Sequence, residues 1–178
     1  GQAIKRDGSG TLKEFGAMPE DIALIEAVRA AGGRSTDGMY DPDVCAVTRP
    51  YANQMAARGG QDGHAGFNDV RFPLLSSIPG THRASEITAE SAEVFNTLTA
   101  PSLADHAKQC VSKWLGSPEH RDDLMRPHTR YCYVMMKNSH ITEARGTGHE
   151  YICVANFTDG TSGTRSIAKR SPPTSVSN

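Results

Sequence analysis

Two segments near the C-terminal end of the chain consist largely of β-branched, aromatic and sulfur-containing residues: RYCYVMMK (130–137) and EYICVANF (150–157). Such residues are typical of β-strands. Neither segment alternates between apolar and polar positions, as a strand with one solvent-facing side would. In the first segment, Tyr133 would lie on one face and Val134 on the other. A strand that is apolar on both faces must be covered on both faces, and this requirement constrains the fold most.

Three segments have the spacing and end signals of helices that can supply this cover. One begins at Pro19, where a proline and two following acidic residues suit a first helical turn. A second begins at Pro42 and ends at a Gly-Gly pair. A third begins at Ser102, which forms a capping-box pattern with Asp105, and ends near Leu115. We therefore predict an α+β fold, a three-layer α-β-α sandwich with a small antiparallel sheet.

The chain has 178 residues, enough for one domain with a self-sufficient core. Residues 1–17 are Gly-rich and polar, and we expect a linker or flexible N-terminus there. Residues 18–158 form the expected domain, and residues 159–178 form a flexible tail rich in Gly, Ser, Thr and Pro. Between residues 61 and 101 the signals are weaker and suggest only a short strand near 83–87 and a helix over 89–98. Trp114 is expected in the core, near Val134 or Val154.

Charge and hydropathy exclude two classes of function. The net charge is −1 and no basic cluster lies within the expected domain, so nucleic-acid binding has no electrostatic support. No apolar run approaches the roughly 20 residues that a membrane span needs. Nothing in the sequence sets the oligomeric state.

The four cysteines are far apart and form no C-x-x-C motif, which argues against a zinc knuckle or a thioredoxin-type site. Their even number is compatible with two disulfides in an oxidising compartment, and also with buried free thiols. If the two C-terminal strands form a hairpin, one register places Cys132 opposite Cys153, at a separation that suits a disulfide. This register favours the pair Cys132–Cys153 and leaves Cys45 to pair with Cys110 between two helices.

The candidates for chemistry are scattered histidines and carboxylates, because the common short catalytic motifs are absent. His64 lies in the Gly-rich segment GGQDGHAGF, Glu86 lies on or beside a strand, and His120 lies at the start of the predicted helix SPEHRDDLM, which Ser117 can cap. Histidines and carboxylates from separate elements can form an open metal site or an acid–base pair. Taken singly, each residue is more simply a solvated or hydrogen-bonded side chain, because nothing local links the three.

Together these segments resemble the CAP superfamily of cysteine-rich secretory proteins, antigen 5 and plant pathogenesis-related proteins, and in particular its bacterial SCP-like branch. The resemblance extends over most of the expected domain. Five stretches carry it in order, from the first helix to the closing strand: IEAVRAAGG, YDPDVCAVTRPYANQMAARGGQDGHAGF, SEITAES, CVSKWLGSPEHRDDLM and YICVANF.

The resemblance implies an α-β-α sandwich with a cleft where His64, Glu86 and His120 meet, in some members around a divalent metal. The chain departs from the family at two positions: Ile87 follows the glutamate where an Asn is frequent, and Ser117 stands where animal members have a second glutamate. With this reduced set, any divalent metal, Zn or Mg, would be weakly bound.

The resemblance further implies a secreted or periplasmic protein that binds a small hydrophobic ligand, a cell-envelope component or a partner protein through this cleft. An enzyme is the less favoured interpretation. It would be a divalent-metal-assisted hydrolase, with His64 and His120 as ligands and Glu86 as ligand or catalytic general base. A third interpretation is a structural module of a larger envelope protein.

Overall fold

The computed structural model describes residues 9–91, 101–139 and 150–160. In chain order its elements are α1 (Ser9–Glu14), α2 (Pro19–Ala30), β1 (Met39–Tyr40), α3 (Pro42–Arg58), a π-helical turn (Phe67–Arg71), α4 (Phe72–Ser76), β2 (Thr81–Glu90), α5 (Leu103–Leu115), α6 (Pro118–Met125), β3 (Arg130–Lys137) and β4 (Tyr151–Gly160).

The described strands form one four-stranded sheet in the order β1-β3-β4-β2. Strands β3, β4 and β2 pair antiparallel, as predicted for a small antiparallel sheet. The two-residue strand β1 adds a short parallel pairing with β3 that the sequence did not predict. Beyond this pairing, the backbone N–H of Met135 donates to the buried Asp21 carboxylate at 3.1 Å. A side chain of α2 thus accepts a hydrogen bond from a backbone N–H of β3 at a position beyond the end of β1.

Helices cover both faces of the sheet. Successive residues of a strand point to opposite faces, and the register places Cys132 opposite Asn156 and Met135 opposite Cys153. Cys132 is bonded to Cys45 of α3, whereas Cys153 is bonded to Cys110 of α5. Helix α3 therefore packs on one face and α5 on the other, which confirms the predicted α-β-α sandwich.

The predicted disulfide pairs Cys132–Cys153 and Cys45–Cys110 are wrong. The pairs are Cys45–Cys132 and Cys110–Cys153. The reason is the register of the hairpin, because a shift by an odd number of residues moves a side chain to the other face of the sheet. In the observed register Cys132 and Cys153 lie on opposite faces and cannot bond to each other.

The predicted helix ends at α3 and α5 are confirmed by their caps. The Asp41 side chain accepts a hydrogen bond from the backbone N–H of Asp43 at 2.9 Å, and the C-cap residue of α3 is Gly59, with φ of 99°. Ser102 and Asp105 form the capping box before α5. At α6, Ser117 occupies the cap position, but its side chain makes no capping hydrogen bond.

The single tryptophan is fully buried, as predicted. The indole N–H of Trp114 donates to the backbone carbonyl of Thr88 at 2.9 Å, and its ring lies 5.9 Å from that of Tyr133. By strand alternation, Tyr133 projects from the face opposite to Val134 and its strand partner Val154. Trp114 therefore packs on the other face of the sheet from the two neighbours that the sequence suggested, and that part of the prediction is wrong.

The boundaries of the domain differ from the prediction at the N-terminal end. Residues 9–17, expected to be part of a linker, contain α1, and Leu12 and Ala17 are buried in the core. Burial of these two apolar side chains explains why this segment is part of the fold. Strand β4 continues to Gly160, past the expected domain end at residue 158, and residues 161–178 lie outside the described part of the chain.

The weakly patterned region from residue 61 holds more structure than predicted. The π-helical turn and α4 occupy Phe67–Ser76, where the sequence suggested a loop. The short strand expected near 83–87 is the ten-residue β2. Of the helix predicted over 89–98, residues 89 and 90 belong to β2, and most of the remainder lies outside the described residues.

Candidate functional site

A buried carboxylate on β2 organises the candidate site. The side chain of Glu86 is 1% exposed and accepts two hydrogen bonds from the Arg71 guanidinium, from Nε at 2.6 Å and from a terminal nitrogen at 2.8 Å. Asn156, directly opposite on β4, donates its amide to the same carboxylate at 3.0 Å. His64 Nδ1 lies 2.8 Å from Glu86 Oε1. We call these four residues the Glu86 cluster.

The cluster keeps Glu86 ionised. Burial acts to raise the pKa of Glu86, but the hydrogen bonds from His64, Arg71 and Asn156 together outweigh it and lower the pKa below its ordinary value. A carboxylate has no proton to donate, so His64 Nδ1 is the donor in this pair. In neutral His64 the other ring nitrogen, Nε2, is then a hydrogen-bond acceptor.

The backbone of His64 is strained. Its φ is 63°, and it is the one non-glycine residue with positive φ in the described part of the chain. Left-handed backbone at a residue other than glycine costs free energy and is concentrated at functional sites. The strained conformation holds the ring, which is 35% exposed, against the buried carboxylate of Glu86. The loop therefore presents an accessible imidazole on a fixed support.

Arg71, which the sequence analysis missed, connects the cluster to α3. Its guanidinium carbon lies 3.3 Å from the centroid of the Tyr51 ring. A terminal nitrogen of the guanidinium donates a hydrogen bond to the backbone carbonyl of Ala65 at 2.8 Å. The Tyr51 hydroxyl donates to Asp62. Burial, together with this hydrogen bond, raises the pKa of Tyr51 above its ordinary value, so the hydroxyl stays protonated. The nearest sequence signal for Arg71 is a charged residue directly between the apolar residues Val70 and Phe72.

The segment that carries His64 and Arg71 separates two concave surfaces. One, the polar cleft, has a volume of about 420 Å³ and is lined by His64, Glu86, Phe67, Asn68, Gly63, Ala84 and Ser85. The other, the apolar groove, has a volume of about 390 Å³, with Tyr51 and Arg71 among its lining residues. The apolar side chains of the groove come from α3, the π-helical turn and α4: Ala46, Val47, Pro50, Val70 and Leu74.

Two exposed large apolar side chains line this groove. Among the described residues four are exposed: Met18 (51%), Val70 (55%), Phe72 (40%) and Leu74 (52%). Val70 and Leu74 line the groove, and Phe72 lies between them in the sequence. Met18 precedes α2 and does not line the groove. Exposed apolar side chains that cluster at a concave surface mark a binding site.

The structure brings His64 and Glu86 together, and among the described residues no hydrogen bond or ion pair joins His120 to either of them. His120 lies half-buried in the first turn of α6, and within the described ranges no group of three or more His, Cys, Asp or Glu residues is arranged to hold a metal ion. Arg71 occupies both carboxylate oxygens of Glu86, so this carboxylate as placed does not fit the role of a metal ligand. The three-ligand metal site stays a prediction from the resemblance.

Comparison with known proteins adds a likeness of fold. No protein-family model matches the chain, and no characterised protein sequence matches it. The solved structure of an outer surface protein from Borrelia burgdorferi is similar over 89% of this chain and 96% of that chain, with a TM-score of 0.51 and 15% sequence identity. At this identity the similarity concerns the fold alone. In the part of the chain that the structure describes, none of the helices has the length and apolar character to span a membrane.

Proposed function

We propose that this chain is a ligand-binding domain of an extracellular or cell-envelope protein, and that its ligand is a small apolar molecule bound in the apolar groove. The observation that carries the proposal is the exposure of two large apolar side chains, Val70 and Leu74, that line a groove of about 390 Å³. Complete burial of a leucine-sized side chain contributes roughly 1.5–3 kcal/mol. Val70 and Leu74 are about half exposed, so a ligand that covers both gains a part of this free energy at each position.

Two features support the location. The disulfides Cys45–Cys132 and Cys110–Cys153 are of a kind that persists in oxidising compartments. The structural neighbour is described as an outer surface protein. Membership of the CAP superfamily is part of the proposal and rests on the ordered sequence stretches together with the α-β-α fold.

Members of the Glu86 cluster line both surfaces: Arg71 lines the apolar groove, and His64 and Glu86 line the polar cleft. The Arg71 guanidinium lines the groove, lies on the Tyr51 ring and is neutralised by Glu86. A guanidinium that is paired with Glu86 and donates a hydrogen bond from each of its three nitrogens gives the groove a rigid base without an uncompensated charge. The hydrolase alternative is less well supported, because a general base needs a carboxylate free to take a proton, whereas Glu86 accepts hydrogen bonds from three side chains.

Titration with cis-parinaric acid, a fluorescent fatty acid, tests the proposal. Val70→Asp and Leu74→Asp place a charge on the groove wall at exposed positions, where the fold tolerates it. Because an apolar ligand in the groove would cover the introduced carboxylate without a partner for its charge, we expect each variant to bind the probe at least tenfold more weakly than the wild type.

Met18→Asp is the matched control, because Met18 is equally exposed but lies outside the groove. We expect it to bind the probe as the wild type does. Equal binding by all three variants, or no binding by the wild type, would contradict the proposal.

A further inference from the structure

The polar cleft has almost no net charge to offer a ligand. It lies on the other side of the segment that carries His64 and Arg71 from the apolar groove. Of the described residues that line the cleft, only His64 and Glu86 have ionisable side chains. The Glu86 carboxylate forms a bidentate ion pair with the Arg71 guanidinium. Anions find no free cation there, because the guanidinium is already satisfied by Glu86 and by the carbonyl of Ala65. Metal cations find no free carboxylate. A neutral ligand is the one that this charge balance favours.

Polar groups that face the cleft are of the kind that recognise hydroxyl groups. His64 Nδ1 donates to Glu86, so Nε2 accepts a hydrogen bond when the ring is neutral and donates one when the ring is protonated, and the ring is 35% exposed. Asn68 is exposed beside it, and its carboxamide both donates and accepts. A ligand hydroxyl, which also donates and accepts, matches both groups.

An aromatic ring supplies the apolar part of the same cleft. Phe67 is half-buried and lines the cleft, and its ring is held edge-on against Phe72 at a centroid distance of 5.9 Å. A fixed aromatic face suits a flat apolar surface. Sugar rings combine such a surface of C–H groups with a rim of hydroxyl groups.

The cleft also lies beside the last strand of the sheet that the structure describes. Strand β2 is the last strand of the described sheet, and residues 84–86 of this strand line the cleft. No described strand continues the sheet beyond β2, so the cleft can accept a ligand that extends along it, as an oligosaccharide does.

We propose that the polar cleft binds a neutral saccharide, with hydroxyl groups on His64 Nε2 and Asn68 and the C–H face of a sugar ring on Phe67. This site is separate from the apolar groove, and it goes beyond the function proposed above. The strained backbone of His64 and the saturated Glu86 carboxylate serve to fix the orientation of the imidazole toward the ligand.

Saturation-transfer difference NMR with two neutral trisaccharides, fully N-acetylated chitotriose and maltotriose, tests this proposal. We expect at least one of them to receive saturation from the wild-type protein and to bind at least tenfold more weakly to Asn68→Ala and to His64→Asn. Asparagine tolerates positive φ, so His64→Asn removes the ring while keeping the backbone conformation. Thermal unfolding of both variants verifies that they are folded.

The fully deacetylated, cationic form of chitotriose and Gln54→Ala serve as controls. We expect the cationic trisaccharide to bind no better than the neutral one, and Gln54→Ala, which alters the apolar groove, to bind saccharide as the wild type does. Absence of transfer to both neutral saccharides, stronger binding of the cationic one, or unchanged binding by Asn68→Ala and His64→Asn would overturn the proposal. The cis-parinaric acid titration is independent of each of these outcomes.

Discussion

At the scale of single residues, Glu86 determines the architecture of the candidate site. It holds a strained histidine on one side and an arginine on the other, and both positions depend on its negative charge. Arg71 is only 6% exposed, so it depends on Glu86 for compensation of its charge. Removing one partner of a buried ion pair leaves the other charge uncompensated, and this is far more costly than losing an exposed pair.

We therefore expect Glu86→Gln, which keeps the shape of the side chain but removes the charge, to lower the free energy of unfolding by roughly 3–5 kcal/mol. Urea denaturation measures this change. Asp37→Asn is the control, because the Arg34–Asp37 pair is exposed, with both side chains at least 46% accessible, and should contribute under about 1 kcal/mol. A Glu86→Gln protein as stable as Asp37→Asn would show that the carboxylate does not hold the cluster together.

The lowered pKa of Glu86 also predicts a dependence on pH. The ordinary pKa is 4.5, and the folded value is lower, so below this pH the unfolded chain binds more protons than the folded protein. The stability that Glu86 contributes is thus fully present above its ordinary pKa and is lost as the pH falls through the folded pKa. In urea denaturation from about pH 6 to about pH 3, the stability difference between wild type and Glu86→Gln should narrow. A difference that stays constant over this range would be inconsistent with the assigned ionisation of Glu86.

At the scale of elements, the sequence predicted those parts of the fold whose signals are local. The starts of α2 and α3 and both ends of α5 follow from prolines, caps and glycines close in sequence, and β3 has the predicted bounds. The register between β3 and β4 could not be predicted from the sequence, because residues 138–150 separate the two strands and a connection of this length does not fix their pairing. The π-helical turn has no periodic signal, and Arg71 was missed for that reason.

The corrected register makes a prediction about the disulfides. Each of them ties a helix to one face of the sheet, α3 through Cys45 and α5 through Cys110. Peptide mapping under non-reducing conditions should recover the pairs Cys45–Cys132 and Cys110–Cys153 and no free thiol. Recovery of a peptide that joins Cys132 to Cys153 would mean that β3 and β4 pair in another register.

At the scale of the whole molecule, the sandwich places two different concave surfaces on either side of one short segment. The sequence could predict that His64 and Glu86 meet, through the resemblance, but not that the carboxylate is saturated by Arg71 and Asn156. It also could not predict the apolar groove, since α3, the π-helical turn and α4 form it only once they are packed on the sheet. Long-range packing therefore decides which residues are available for binding.

Methyl NMR during titration with a fatty acid shows whether a small apolar ligand occupies the groove beside Val70 and Leu74. We predict that the methyl resonances of Val70 and Leu74 shift and saturate with added ligand. The resonance of Met18, which is exposed to a similar degree outside the groove, should stay in place. Shifts of equal size at all three residues, or no shift at Val70 and Leu74, would contradict the claim.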